Sequence, residues 1–136
     1  ASYECSIAMG YRTTASGNYS TAIGFFTTAS GNYSTAMGRV TTASGGNSTA
    51  MGSQTTASGK SSIAMGEYTT ASGKVSTAMG YYTTASGDRG AIAMGYQTTA
   101  RSFDCFVSGR YNDTLTTSSQ TSWQSSDPLF IIGNGS

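Results

Sequence analysis

Chemistry needs reactive side chains in reach of one another, and this sequence offers few. There is no His among its 136 residues, and its six carboxylates are scattered. No nucleophile stands beside a base, so hydrolytic or acid/base catalysis has nothing to work with, and an enzyme is not expected. Metal binding is equally thin, because His is absent and the two cysteines, Cys5 and Cys105, lie at opposite ends of the chain. No cofactor is implied, and the recurrent glycines mark turns, not a phosphate loop.

The two thiols remain of interest. If the chain stacks in coils of ~4.8 Å, about seven coils place Cys5 and Cys105 ~34 Å apart, well beyond the ~7 Å between Cα atoms that a disulfide spans. They cannot pair within one straight roll. Head-to-tail stacking of two chains would bring Cys105 of one against Cys5 of the next and staple a filament; the alternative is two unpartnered thiols. Aromatic residues form the other candidate surface. Tyr11, Phe25, Phe26, Tyr68, Tyr81, Tyr82 and Tyr96 gather in the variable slots, where flat rings suit a sugar or protein ligand or packing between neighbouring chains. Thr14, Thr28, Thr42, Thr56, Thr70 and Thr84 form a regular hydroxyl row of the kind seen on ice-binding solenoids. Asn18, Asn32, Asn47, Asn112 and Asn134 each open an Asn-x-Ser/Thr sequence and are candidate glycosylation sites.

All these residues except Asn112 and Asn134 are positioned by one repeat. From the N-terminus to Gly109 the chain reads in sevens, x-x-Ser/Thr-Thr-Ala-Ser/Met-Gly, and two sevens make a unit. Units this small cannot bury a face alone and must stack. A Gly every seven residues costs a helix ~1 kcal/mol each, so each seven reads as a short strand and a tight turn. Gly is expected to supply the positive φ of the turn. Charge placement agrees: Arg12, Arg39, Lys60, Glu67, Lys74, Asp88 and Arg89 all follow a glycine and avoid the strand positions.

The two kinds of seven differ at one position. Met9, Ile23, Met37, Met51, Met65, Met79 and Met94 recur every 14 residues, apart from one inserted residue, and Ser16, Ser30, Ser44, Ser58, Ser72 and Ser86 form the matching row. The spacing predicts an all-β parallel roll of 14-residue coils with two short strands each. We expect the Met row to point inward as the core, opposite the Ser row, leaving Ala15, Ala22 and their equivalents on the outer faces. Both strand faces avoid charge. One should therefore be buried within the chain and the other against further chains, making a homo-oligomer.

Bulk properties narrow the rest. Charged residues make up only 10%, and the formal net charge is +1, which gives no electrostatic case for nucleic acid or an anionic membrane surface. No apolar run approaches the ~20 residues of a membrane-spanning helix. The chain begins Ala-Ser-Tyr, which suits a chain after signal removal or a cut from a longer one. Periodicity fades after Gly95, leaving two parts: repeats over 1–109 and a cap or connector over 110–136. In the latter a polar stretch precedes the apolar strand Leu129-Phe130-Ile131-Ile132, expected with Trp123 to pack over the roll's end or to pass to a partner chain.

The motif Ser-Thr-Ala-Met-Gly, with the variants Ser62-Ile63-Ala64-Met65-Gly66 and Ser6-Ile7-Ala8-Met9-Gly10, resembles the head repeat of trimeric autotransporter adhesins of the YadA type. The resemblance covers residues 3 to about 109. It implies a left-handed parallel β-roll, three chains side by side, exposed on a cell surface and binding matrix proteins, host cells or one another. The tail from Gly109-Arg110-Tyr111-Asn112 through Pro128-Leu129-Phe130-Ile131-Ile132-Gly133-Asn134-Gly135 is similar to the segment following such repeats in fibres that carry an intramolecular chaperone of endosialidase. An extracellular adhesive fibre module follows from the resemblance. The contrasting expectation is a subunit that self-assembles end to end with no receptor, and ice binding is a minor third.

Overall fold

In the computed structural model, residues 4–112, 119–122 and 124–134 are described; Trp123 lies outside them. Sixteen strands and no helix occur among the described residues. Five-residue strands alternate with two-residue strands. The long ones are β1 (Ile7–Tyr11), β3 (Thr21–Phe25), β5 (Thr35–Arg39), β7 (Thr49–Ser53), β9 (Ile63–Glu67), β11 (Thr77–Tyr81), β13 (Ile92–Tyr96), β15 (Phe106–Arg110) and β16 (Phe130–Asn134). Between them lie β2 (Thr14–Ala15), β4 (Thr28–Ala29), β6 (Thr42–Ala43), β8 (Thr56–Ala57), β10 (Thr70–Ala71), β12 (Thr84–Ala85) and β14 (Thr99–Ala100).

Each long strand pairs in parallel with the next long one, and each short strand with the next short one, so one sheet has nine strands and the other seven. Register follows the repeat: Thr21↔Thr35, Ala22↔Ala36, Ile23↔Met37, Gly24↔Gly38. The chain is thus a parallel β-solenoid of 14-residue coils, as the spacing predicts. The short strands end early because the Ala29 carbonyl accepts from both Ser16 N–H (2.9 Å) and Gly17 N–H (3.3 Å), which bends the chain into its corner.

The orientation of the faces is the reverse of the sequence expectation. Ala22, Ala36, Ala50, Ala64 and Ala78 on the long strands, and Ala15, Ala29, Ala43, Ala57, Ala71 and Ala85 on the short ones, are fully buried. They share the interior with Ser20, Ser34, Ser48, Ser62 and Ser76 on one side and Thr27, Thr41, Thr55, Thr69 and Thr83 on the other. Side chains alternate across a strand, so burying Ala22 turns Thr21 and Ile23 outward. The Met9, Ile23, Met37, Met51, Met65, Met79, Met94 row therefore lies on the outer face of the nine-stranded sheet, with Met9 59% exposed and the others half-buried. The Ser16 row lies on the outer face of the other sheet. The physical reason is thickness: a coil of only 14 residues brings its two sheets so close that Ala, Ser and Thr fill the gap, and a methionine column would force them apart.

Glycine supplies positive φ at alternate corners, as expected, with Gly10 at 121°, Gly24 at 133° and Gly38 at 122°. A further left-handed residue that the sequence did not mark stands two places after the glycine that closes each seven, including Tyr19 (56°), Tyr33 (58°), Val40 (55°) and Val75 (57°). Gly31 serves another purpose, since a Cβ there would collide with the carbonyl oxygen of Gly45 in the next coil. Gly24 combines both constraints, with φ 133° and a Cβ that would meet the Gly38 carbonyl.

The inserted residue is absorbed at one corner. Gly90 adopts φ 108°, Ala91 is buried, and pairing resumes one residue later at Thr77↔Ile92. At the C-terminal end the interior grows bulkier with Cys105 and Val107. The tail packs onto this end: Phe103 N–H donates to Ser119 O (2.9 Å) and Asp88 N–H to Gln120 O (2.7 Å). β16 then joins β15 in the repeat's own register, Phe106↔Phe130 and Gly109↔Gly133, with the Phe106 and Phe130 rings stacked, centroids 5.4 Å apart.

Candidate interaction surfaces

The solenoid presents two flat faces and two corner edges, each of different chemistry. The outer face of the nine-stranded sheet carries two uncharged rows. One runs Ile7, Thr21, Thr35, Thr49, Ile63, Thr77, Ile92, Phe106, Phe130; the other is the Met row continued by Ser108 and Ile132. Met9 (59%), Phe130 (63%) and Ile132 (70%) are the most open positions, at the two ends of this surface. No charged residue occupies either row.

The outer face of the seven-stranded sheet is a hydroxyl array. Thr14, Thr28, Thr42, Thr56, Thr70 and Thr84 stand in one register column, extended by Thr99, and the Ser16 row runs beside it. Their exposure comes from alternation with the buried alanines.

Aromatic residues gather on the corner that follows the long strands, in two blocks. In the first, Tyr11 stacks on Phe25 (5.3 Å between centroids) and Phe25 meets Phe26 edge-on (4.6 Å), with the Arg12 guanidinium 5.2 Å from the Phe26 ring. In the second, Tyr68 stacks on Tyr82 (4.4 Å), Tyr81 on Tyr96 (5.3 Å), and Arg110 lies 5.1 Å from the Tyr96 ring. Arg39, Val40, Ser53 and Gln54 separate the blocks. The Tyr82 phenol pKa is raised, by desolvation among the rings first and then by Tyr68, Tyr81 and Glu67. That of Tyr96 is raised chiefly by its hydrogen bond with Tyr111. The structure thus brings together all seven aromatics singled out from the sequence, as two clusters whose ring faces are largely turned on one another. Tyr19 and Tyr33, corner aromatics by their equal spacing from the preceding glycine, are stacked on the opposite corner at 5.2 Å.

The remaining candidates sit apart. Cys5 is exposed and Cys105 buried, both as free thiols. Burial raises the Cys105 pKa, and coupling to Cys5 of another chain would require the tail to move aside. Asn18, Asn32, Asn47 and Asn134 occupy surface positions, although Asn32 Oδ1 already accepts from Asn18 N–H (3.1 Å). Asn112 differs, because its amide nitrogen donates to the Thr99 carbonyl (2.8 Å) and a glycan there would remove that bond. Among the described residues there is no group of side chains fit to hold a metal, and no pocket. No helix among them is long and apolar enough to cross a membrane.

The profile of the YadA head domain repeat matches residues 6–27, 19–41, 43–69 and 71–98, more than half of the chain. The chain belongs to the YadA head domain repeat family. The matched segments coincide with the regular coils, and the match stops at residue 98, short of the tail. Comparison with curated proteins gives no match. The repeats point to an adhesin-like module of the trimeric autotransporter type, and its described residues form flat faces and aromatic edges without a pocket.

Proposed function

We propose that this chain is an extracellular adhesive fibre module that works as a side-by-side homotrimer. The observation that carries the reading is the charge-free face of Met, Ile, Thr and Phe spanning all nine strands of one sheet. A charge-free surface of that extent with a methionine column along it, on a chain whose own interior is mostly Ala, Ser and Thr, calls for further copies of the same chain. Membership of a family whose heads are trimeric and exposed at cell surfaces supports the same conclusion. With the Met face covered, the aromatic corners and the hydroxyl face remain for receptors, and repeated weak contacts along a rigid rod add by avidity. Light scattering coupled to size exclusion tests it. The wild-type chain should have three times the chain mass, and the double variant Met37→Lys, Met65→Lys should be monomeric with an unchanged circular dichroism spectrum. A monomeric wild type would overturn the reading, and micrographs of long end-to-end fibres would favour the filament subunit.

A second reading has one observation of its own in support, the charge-free Thr and Ser columns on the outer face of the seven-stranded sheet. Strand pairing spaces the columns' hydroxyls by about 4.8 Å along the rod, a regular array able to order water as ice does. Thermal hysteresis measured for wild type and for Thr56→Lys tests it: activity lost in the variant supports ice binding, and no activity in wild type removes it.

A further inference from the structure

We propose that the tyrosine pairs stacked across neighbouring coils, Tyr68 with Tyr82, Tyr19 with Tyr33, and Tyr81 with Tyr96, are sites of oxidative phenol coupling that tie successive coils together covalently. Each pair is built by the repeat itself. Tyr68 and Tyr82 occupy the same corner slot one coil apart, as do Tyr19 and Tyr33, and all four share the left-handed backbone conformation, with φ between 53° and 58°. Backbone bonds fix each slot to the next: Tyr33 N–H donates to Asn18 O (2.8 Å) and Tyr82 N–H to Glu67 O (3.0 Å). The rings have little choice of position. Their centroids are 4.4 Å apart at 7° for Tyr68 and Tyr82, 5.2 Å at 6° for Tyr19 and Tyr33, and 5.3 Å at 15° for Tyr81 and Tyr96.

Access is as important as distance. Tyr19 (47%), Tyr33 (61%) and Tyr82 (46%) are exposed, and Tyr81 and Tyr96 have more than a third of their surface open. An oxidant in solution therefore reaches at least one ring of every pair; of the two thiols that compete for it Cys105 is buried and Cys5 is exposed, so Cys5 is blocked with N-ethylmaleimide before oxidation.

The step balances with hydrogen peroxide as oxidant and a haem peroxidase as catalyst. One hydrogen atom leaves each of the two phenol hydroxyls, and the two phenoxyl radicals join through their ortho carbons. Each of those carbons then loses its proton, each oxygen regains one, and aromaticity returns. Two tyrosines and one peroxide become one dityrosine and two waters. A radical formed on one ring finds its partner in van der Waals contact, so combination within the pair competes well with diffusion to another chain. Because a solenoid holds each coil only through its neighbours, a covalent tie between coils resists unravelling much as a disulfide does, by restricting the unfolded chain.

The test treats the full chain with hydrogen peroxide and a haem peroxidase. Dityrosine fluorescence should appear while the protein still runs at single-chain mass on a denaturing gel. Peptide mapping should join residues 68 with 82, 19 with 33, and 81 with 96, each pair lighter by two hydrogens. The triple variant Tyr33→Phe, Tyr82→Phe, Tyr96→Phe keeps the stacked rings but lacks one phenol per pair, so it should retain the fold by circular dichroism and lose the 68–82, 19–33 and 81–96 links, leaving only the edge-on neighbours Tyr68 and Tyr81, 6.0 Å apart. No coupling, coupling only between chains, equal coupling in urea, or undiminished coupling in the triple variant would each overturn the proposal.

Discussion

The Asn112 carboxamide pairs with Thr99 in both directions: Thr99 N–H donates to Asn112 Oδ1 at 2.6 Å, and Asn112 Nδ2 donates to the Thr99 carbonyl at 2.8 Å. Thr99 belongs to β14, the last strand of the seven-stranded sheet. A side chain thus stands where the next strand would be and satisfies the edge that the nine-stranded sheet covers with β15 and β16. Unpaired edges are what parallel sheets must hide.

Removing that side chain should open the edge. Asn112→Ala loses two hydrogen bonds worth about 1 kcal/mol each. The expected outcome is a melting temperature several degrees lower and faster hydrogen exchange at the Thr99 amide, with exchange at the central Thr56 amide unchanged. Equal protection of Thr99 in the variant would refute the capping role.

The interior threonines make the opposite prediction. The hydroxyls of Thr27, Thr41, Thr55, Thr69, Thr83 and Thr98 are buried without a hydrogen-bond partner. By contrast, those of Ser20, Ser34, Ser62 and Ser76 donate to glycine carbonyls at 2.6 to 2.7 Å, as Ser34 does to Gly31 at 2.6 Å. Replacing Thr55 by Val keeps the shape and deletes an unsatisfied group whose desolvation costs about 1–3 kcal/mol. Thr55→Val should therefore raise the unfolding midpoint in urea. Ala50→Leu, which adds bulk to the same fully buried interior, should lower stability by about 1–3 kcal/mol.

The contrast between these interior positions and the Met row shows what the sequence could and could not convey. Coil length, the two sheets and the register of Ile23 on Met37 were legible, because an unbroken 14-residue period permits only one way for a coil to lie on the next. Facing was not. Thr21, Ala22 and Ile23 are all uncharged, so polarity does not tell inside from outside. The deciding quantity is the narrow gap between sheets, which single residues do not announce. Charge at Arg39 and Glu67 marked the corners correctly, yet the left-handed residue there was hidden, since Val40, Gln54 and Tyr68 share no turn signature. The aromatic slots were legible as a group, but their pairing across coils needed the register. Asn112 occurs once, outside the repeat, and no period pointed to it.

The corners carry their own prediction. Val40 and Val75 adopt φ of 55° and 57°, a region that β-branched residues rarely enter. Their backbones are held there by coil-to-coil bonds, Val40 N–H to Phe25 O and Val75 N–H to Lys60 O, both 2.8 Å. Strain of this kind costs about 1–3 kcal/mol per residue. Asn tolerates the same conformation, as Asn47 does with φ 57° on the corner that also carries Val75. Val40→Asn and Val75→Asn should each stabilise the fold in thermal melts. Because both side chains are exposed, little packing is lost, and a lowered melting temperature for both variants would contradict the strain argument.

The two thiols should differ sharply in reactivity. Cys5 is exposed, whereas Cys105 is 2% exposed beneath the tail. Desolvation is the main cause that raises the Cys105 pKa, with the nearby Asp127 carboxylate adding to it and hydrogen bonds from Ser102 opposing it. A maleimide at neutral pH should label Cys5 rapidly and Cys105 only after unfolding. The same shift has a consequence for stability. The folded chain holds the Cys105 proton more tightly than the unfolded chain, so this contribution is fully present below the ordinary thiol pKa of about 8.5 and is lost as pH rises above it. Urea midpoints for wild type should consequently decline through the alkaline range. Those of Cys105→Ala, measured against the same wild type, should decline less over that interval, and parallel pH profiles for the two proteins would assign the alkaline loss to the tyrosines instead.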